Sequence, residues 1–111
     1  MAIYETANKL ANEIKNSKEY IQFKKYMREI KNDPESEKLL TEYKMSQAKI
    51  QNFILNNPKD QKKILNKLES LHKKVVNNKK INRNLNSEQQ FTAMMAKINQ
   101  ILAKAVEHDY K

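Results

Sequence analysis

The chain has 111 residues, with 22 Lys or Arg against 13 Asp or Glu, a formal net charge of +9, no Gly, no Cys and two Pro. The length favours one domain, and the lack of Gly argues against sheets joined by tight turns. The lack of Cys excludes disulfides, zinc clusters built on thiolates, iron–sulfur ligation by the chain's own thiolates and thiol catalysis.

The first stretch, MAIYETANKLANEI, carries Glu5 and no apolar h-region, so no signal peptide is expected. Ile3, Ala7, Leu10 and Ile14 recur at helical spacing, which predicts a short helix over 3–15. Asn16 and Ser17 interrupt it, and Ser17 is suited to cap a second helix over 18–31 with the face Tyr20, Phe23, Met27 and Ile30. Asn32-Asp33-Pro34-Glu35 is the clearest punctuation: Asp33 can cap, Pro34 suits the first helical position, and Glu35 and Glu37 complement the helix dipole. A third helix is expected from there to about Leu55, with Leu40, Tyr43, Ile50 and Ile54 as its stripe.

Asn56-Asn57-Pro58 ends that helix, because a residue before Pro is pushed out of the α region. A fourth helix follows over 59–77, with the seam Ile64, Leu68, Leu71 and Val75 and with Leu65 and Val76 alongside. The short connection makes helices three and four an antiparallel hairpin over 34–77. Asn77-Asn78 is a softer break before a long helix over 79–107. On a seven-residue frame that helix has one column of Ile81, Glu88, Met95 and Leu102 beside another of Asn84, Phe91, Ile98 and Ala105. The expected fold is therefore all-α: a single, elongated bundle of about five helices, with short N-terminal helices over 3–31, a long hairpin and a long C-terminal helix. No window approaches the apolar length of a membrane span, so the expected location is the cytoplasm.

Few residues point to chemistry. His72 follows Glu69 by one turn, but one His and one Glu are too few for a metal site, and a partly buried structural histidine is the expectation. Glu88 holds a seam position, with no second carboxylate or His spaced to complete a catalytic set. His108 and Asp109 fall in the C-terminal tail. There is no Gly-rich phosphate loop, no nucleophile elbow and no paired-His motif, so neither an enzyme nor a bound cofactor is expected.

Charge is concentrated. From Lys59 to Arg83, nine basic residues stand against Asp60 and Glu69, a surplus of seven. On helix four, Lys59, Lys63, Lys67 and Lys74 lie roughly opposite the seam, with Lys62 and Lys73 at its margins. A polyanion-binding face would look like this, and so would a solvated one. The chain has two Arg, no aromatic stacking platform and no helix-turn-helix spacing, and its abundance of Lys and Asn is what AT-rich coding produces. A solvated face leads, an acidic protein partner comes second and nucleic acid third.

With the helices placed, IYETANKLANEIKNSKEY, the turn KNDPESEKLLTEY and the closing NSEQQFTAMMAKINQILAKAVE resemble the YlbF/YmcA family of small helical regulators of Gram-positive bacteria, nearest to its YheA-like branch. Asp33-Pro34, Glu88-Gln89 and Ile98-Asn99-Gln100-Ile101 carry most of the resemblance. It implies an all-helical fold with a long hairpin, self-association, and a non-enzymatic role alongside other regulatory proteins in competence, biofilm formation, sporulation or RNA processing. Family members that bind iron–sulfur clusters use cysteines, and this chain has none, so that cofactor is not implied here. A regulatory adaptor is thus the expected function, with a basic RNA- or DNA-associated protein as the alternative. Because the stripes of helices three and five outreach the short N-terminal helices, a homodimer is expected to cover the remainder, through Ile50, Phe53, Ile54, Ile64 and Leu68 near the hairpin tip.

Overall fold

Short polar side chains cap three of the helix starts, at Ser17, Asp33 and Asn78, where the sequence places breaks. The computed structural model describes residues 1–53 and 58–107, with the side chains of residues 51–53 and 58–60 outside that description. Five helices and no strand occur among the described residues: α1 (Ala2–Lys15), α2 (Lys18–Lys31), α3 (Pro34–Phe53), α4 (Pro58–Val76) and α5 (Lys79–Glu107). The expected end of α3 at Leu55 and the break at Asn56-Asn57 lie outside the described residues.

The chain divides into two compact units, one of residues 27–84 and one of residues 1–26 with 85–111. In the first, α3 packs along α4. Ser36 meets Asn78 just past the end of α4, and Tyr43 meets His72, so advancing along α3 retreats along α4. The pair is the antiparallel hairpin that the short connection predicts. Its buried apolar side chains are Leu40, Leu71 and Val75, joined by Ile30 from the end of α2 and Ile81 from the start of α5. Ser36 and Ser46 are buried on the inward face of α3 as well, where small side chains let helices approach closely.

In the second unit, Phe91 of α5 stacks on Phe23 of α2 with centroids 5.4 Å apart, and meets Tyr20 at 5.8 Å. Such aromatic pairs contribute about 0.5–1.5 kcal/mol beyond their buried area. Helix α1 buries no residue; Leu10 and Ile14 are half-buried, while Ile3 and Tyr4 are exposed. Burial along the α5 stripe fades with distance. Ile81 and Asn84 are buried, Glu88, Phe91, Met95 and Ile98 are half-buried, and Leu102 and Ala105 are exposed.

Three caps close the helix ends. Ser17 Oγ accepts the Tyr20 N–H at 3.2 Å and donates to the Ile14 carbonyl at 2.6 Å, so one hydroxyl ends α1 and starts α2. Asp33 accepts from Ser36 Oγ at 2.8 Å and from Lys80 Nζ at 3.2 Å. Asn78 caps α5 through Oδ1 to the Ile81 N–H at 3.0 Å, while its Nδ2 donates to Ser36 Oγ at 2.9 Å. Asn82 Nδ2 then reaches the carbonyl of Val76 at 2.8 Å, satisfying an acceptor at the end of α4, and that of Asn78 at 2.9 Å. An Arg83–Glu29 ion pair at 3.9 Å lies in the same unit.

The hydrogen bond from Ser36, then that from Lys80, holds the Asp33 carboxyl below its ordinary value of 3.8. A depressed folded-state pKa contributes stability that is present above the unfolded value and lost as pH falls through the folded one. Stability should therefore decline below about pH 4, and Asp33→Asn should flatten that acid limb in a urea-melt series. Asn78→Ala removes a cap and leaves Ser36 without its donor, so the same melts should show a loss of about 1–2 kcal/mol. Ile81 is fully buried, and Ile81→Ala should cost roughly 2–5 kcal/mol.

Candidate interaction surfaces

The side chains that could carry function are read best from what remains uncovered. On the hairpin, Tyr43 Oη lies 3.1 Å from His72 Nδ1, and the two rings stack with centroids 6.0 Å apart. The hydroxyl donates when that nitrogen is unprotonated. His72 is itself exposed, not partly buried as its place beside the seam predicted. It is held at the surface by the Tyr43 ring stacked against it and by the Tyr43 hydroxyl. Together with Leu65, Leu68 and Glu69, this pair lines an open groove of about 330 Å³.

Leu65 and Val76, 47% and 54% exposed, border this side of α4. A second hairpin groove has a different character, being lined by Glu35, Lys38, Leu39, Glu42, Lys74 and Asn78.

Of the hairpin-tip residues expected to bind a second copy, Ile50, Ile64 and Leu68 are half-buried; the side chains of Phe53 and Ile54 lie outside the described residues. More exposed apolar side chains occur in the other unit. Ile3 and Tyr4 on α1 are 67% and 66% exposed, and Ile101 and Leu102 on α5 are 60% and 56% exposed, with Val106 beside them. This is the uncovered end of the α5 stripe. Charge around these residues balances: α1 holds Glu5 and Glu13 against Lys9 and Lys15, and α5 beyond Leu85 holds Glu88 and Glu107 against Lys97 and Lys104.

The basic face is where helical spacing put it. Lys62, Lys63, Lys67, Lys73 and Lys74 are all exposed on α4, and the side chain of Lys59 lies outside the described residues. The unit of residues 27–84 carries fourteen Lys or Arg against seven Asp or Glu, a net +7 of the chain's +9.

Among the described residues no three His, Cys, Asp or Glu gather as metal ligands, and no helix is long and apolar enough to cross a membrane. An iron–sulfur cluster is held by thiolates, so the donor set of this chain does not fit one. Glu88 is half-buried on α5, and His108 and Asp109 lie outside the described residues.

An all-helical module with two apolar, exposed surfaces of contrasting charge is what these residues build. The chain belongs to the YlbF/YmcA family: the family model described as control of competence regulator ComK, YlbF/YmcA, matches residues 3–107. Among curated relatives, a UPF0342 protein of Leuconostoc mesenteroides is 26% identical over 108 residues, covering 97% of this chain and 92% of its own length. A UPF0342 protein of Staphylococcus epidermidis is likewise 26% identical over 108 residues, covering 97% and 95%. Among solved structures, Bacillus subtilis RicA, crystallised in complex with RicF, shares the fold with a TM-score of 0.69 at 17% identity, over 99% of this chain and 97% of that one.

Charge should not be what holds the hairpin together. Reversing Lys63, Lys67 and Lys74 to Glu should leave the helical circular-dichroism signal unchanged, since surface charges contribute little to stability.

Proposed function

We propose that this protein is a non-enzymatic cytoplasmic adaptor that regulates other proteins by direct contact. The observation that carries the proposal is the apolar surface left uncovered on α1, on the end of α5 and along α4. Family membership supports it, and so does the fold shared with RicA, which was crystallised with a protein partner. Competence control, the setting in the family's description, is the first pathway to test; biofilm formation, sporulation and RNA processing are the others that the resemblance implies. Affinity capture from the native cell, with and without nuclease, tests the adaptor role. Protein partners that survive nuclease treatment are the expected result.

Self-association is part of the proposal, with two-fold pairing as its simplest form. The surfaces favoured for it are the charge-balanced apolar stretches with Ile3 and Tyr4 on α1 and with Ile101 and Leu102 at the end of α5. Covering apolar area returns about 25 cal/mol per Å², and balanced charges let a surface meet its own copy without like-charge repulsion. The hairpin-tip set of Ile50, Phe53, Ile54, Ile64 and Leu68 is the alternative surface for self-association; of these, Ile50, Ile64 and Leu68 are half-buried. By light scattering at tens of micromolar, the wild type should be dimeric and Leu102→Lys should shift towards monomer with its helical signal kept. A monomeric wild type would remove self-association from the proposal.

The net +7 of residues 27–84 favours one second reading, a nucleic-acid-associated protein. On that reading affinity falls steeply with salt, and the triple reversal of Lys63, Lys67 and Lys74 abolishes binding. The adaptor reading expects weak, non-specific binding or none at physiological salt.

A further inference from the structure

We infer that the groove between Tyr43 and α4 is the docking site for an acidic amphipathic helix of a partner protein. The inference rests on the adaptor reading above and names the surface and the chemistry of what binds there.

The shape of the apolar lining comes first. Leu65, Leu68, His72 and Val76 recur along α4 at steps of three and four residues, the spacing that puts side chains on one face of a helix. Leu65 and Val76 are 47% and 54% exposed, and Leu68 and His72 line the groove. A stripe of this period, exposed at Leu65, His72 and Val76 and half-buried at Leu68, matches the apolar stripe of a second helix, as in helix-in-groove recognition.

The margin of the stripe is cationic. Lys62 stands three residues before Leu65, and Lys73 stands three before Val76, so both flank the apolar side chains; both are exposed. Glu69, the one acid among the described α4 side chains, lines the groove itself; it precedes Lys73 by four residues, the spacing at which neighbouring opposite charges offset each other, and Lys62 and Lys73 stand just outside the lining. A helix with a leucine stripe flanked by glutamates is complementary to such a margin, and complementary charge raises both encounter rate and specificity.

Two other occupants fit less well. Single-stranded nucleic acid binds basic grooves by stacking its bases on free aromatic faces, but the Tyr43 ring is already stacked on His72 and its hydroxyl is held by the imidazole. A second copy seated here two-fold would set one lysine-rich α4 against another, and such like-charge juxtaposition is costly.

The test uses the full chain and a synthetic peptide about three heptads long, with Leu at two seam positions of each heptad and Glu at the flanking ones. Titrated by fluorescence anisotropy, it should bind saturably, with an affinity that falls as salt rises. Leu65→Glu should weaken it roughly tenfold or more, the scale expected for a charge placed in an apolar contact. The double variant Lys62→Glu/Lys73→Glu should weaken it as well, while Lys97→Glu on α5 should not, with circular dichroism showing each variant helical. No saturable binding, binding indifferent to Leu65→Glu, equal binding of a peptide with Lys in place of Glu, or displacement of the peptide by oligouridine would each overturn the inference. Capture from the native cell separates the two levels. Nuclease-resistant partners retained in full by Leu65→Glu refute this groove and leave the adaptor reading standing, whereas no nuclease-resistant partner of the wild type refutes the adaptor reading itself.

Discussion

The hairpin depends on a few polar side chains gathered at one end. Asn78 uses its carbonyl oxygen to cap α5 and its amide nitrogen to hold Ser36, and Ser36 in turn donates to Asp33, the residue that opens α3. Lys80 reaches the same carboxylate. Two helix starts separated by more than forty residues are thereby tied together. The backbone N–H groups of a helix start are otherwise unpaired, so each needs an acceptor wherever water is excluded. Ser36 is nearly inaccessible, and its hydroxyl both donates and accepts within this set. Burying it without those bonds would be unfavourable. The bonds fix where α3 and α5 begin, and that register decides which side chains of α3 and α4 meet farther along.

Register explains the groove. With Ser36 opposite Asn78, Tyr43 falls opposite His72, and the two rings stack there and line the groove. Leu71 and Val75 turn inward, while Leu65 and Val76, a step round the helix, are left on the shoulder. The apolar surface of α4 is wider than the contact with α3 can use. In a small domain some apolar surface always stays outside; here a run of it at helical spacing lies beside Lys62 and Lys73.

The distribution of charge sorts the two exposed surfaces. The unit of residues 27–84 carries nearly all the net positive charge, and the apolar residues of α1 and the end of α5 sit among equal numbers of acids and bases. A surface that meets its own copy gains from balance, because any excess charge is doubled across a two-fold axis. A surface that meets a different protein gains from excess, because the partner can carry the opposite sign.

The sequence by itself determined the helices. Period fixed their faces, and Ser17, Asp33, Pro34 and Asn78 fixed most of their starts, because capping is a contest among neighbours in the chain and needs no distant contact. The basic row on α4 was legible for the same reason: its position is set by helical spacing alone. Only the tertiary structure decided which parts of each stripe are covered. Ile81 and Leu102 share one column of α5 and look alike in sequence, yet the first is fully buried and the second lies open. The pairing of Tyr43 with His72 was equally invisible, since it depends on the hairpin register, and that register is set by side chains meeting across some forty residues of chain.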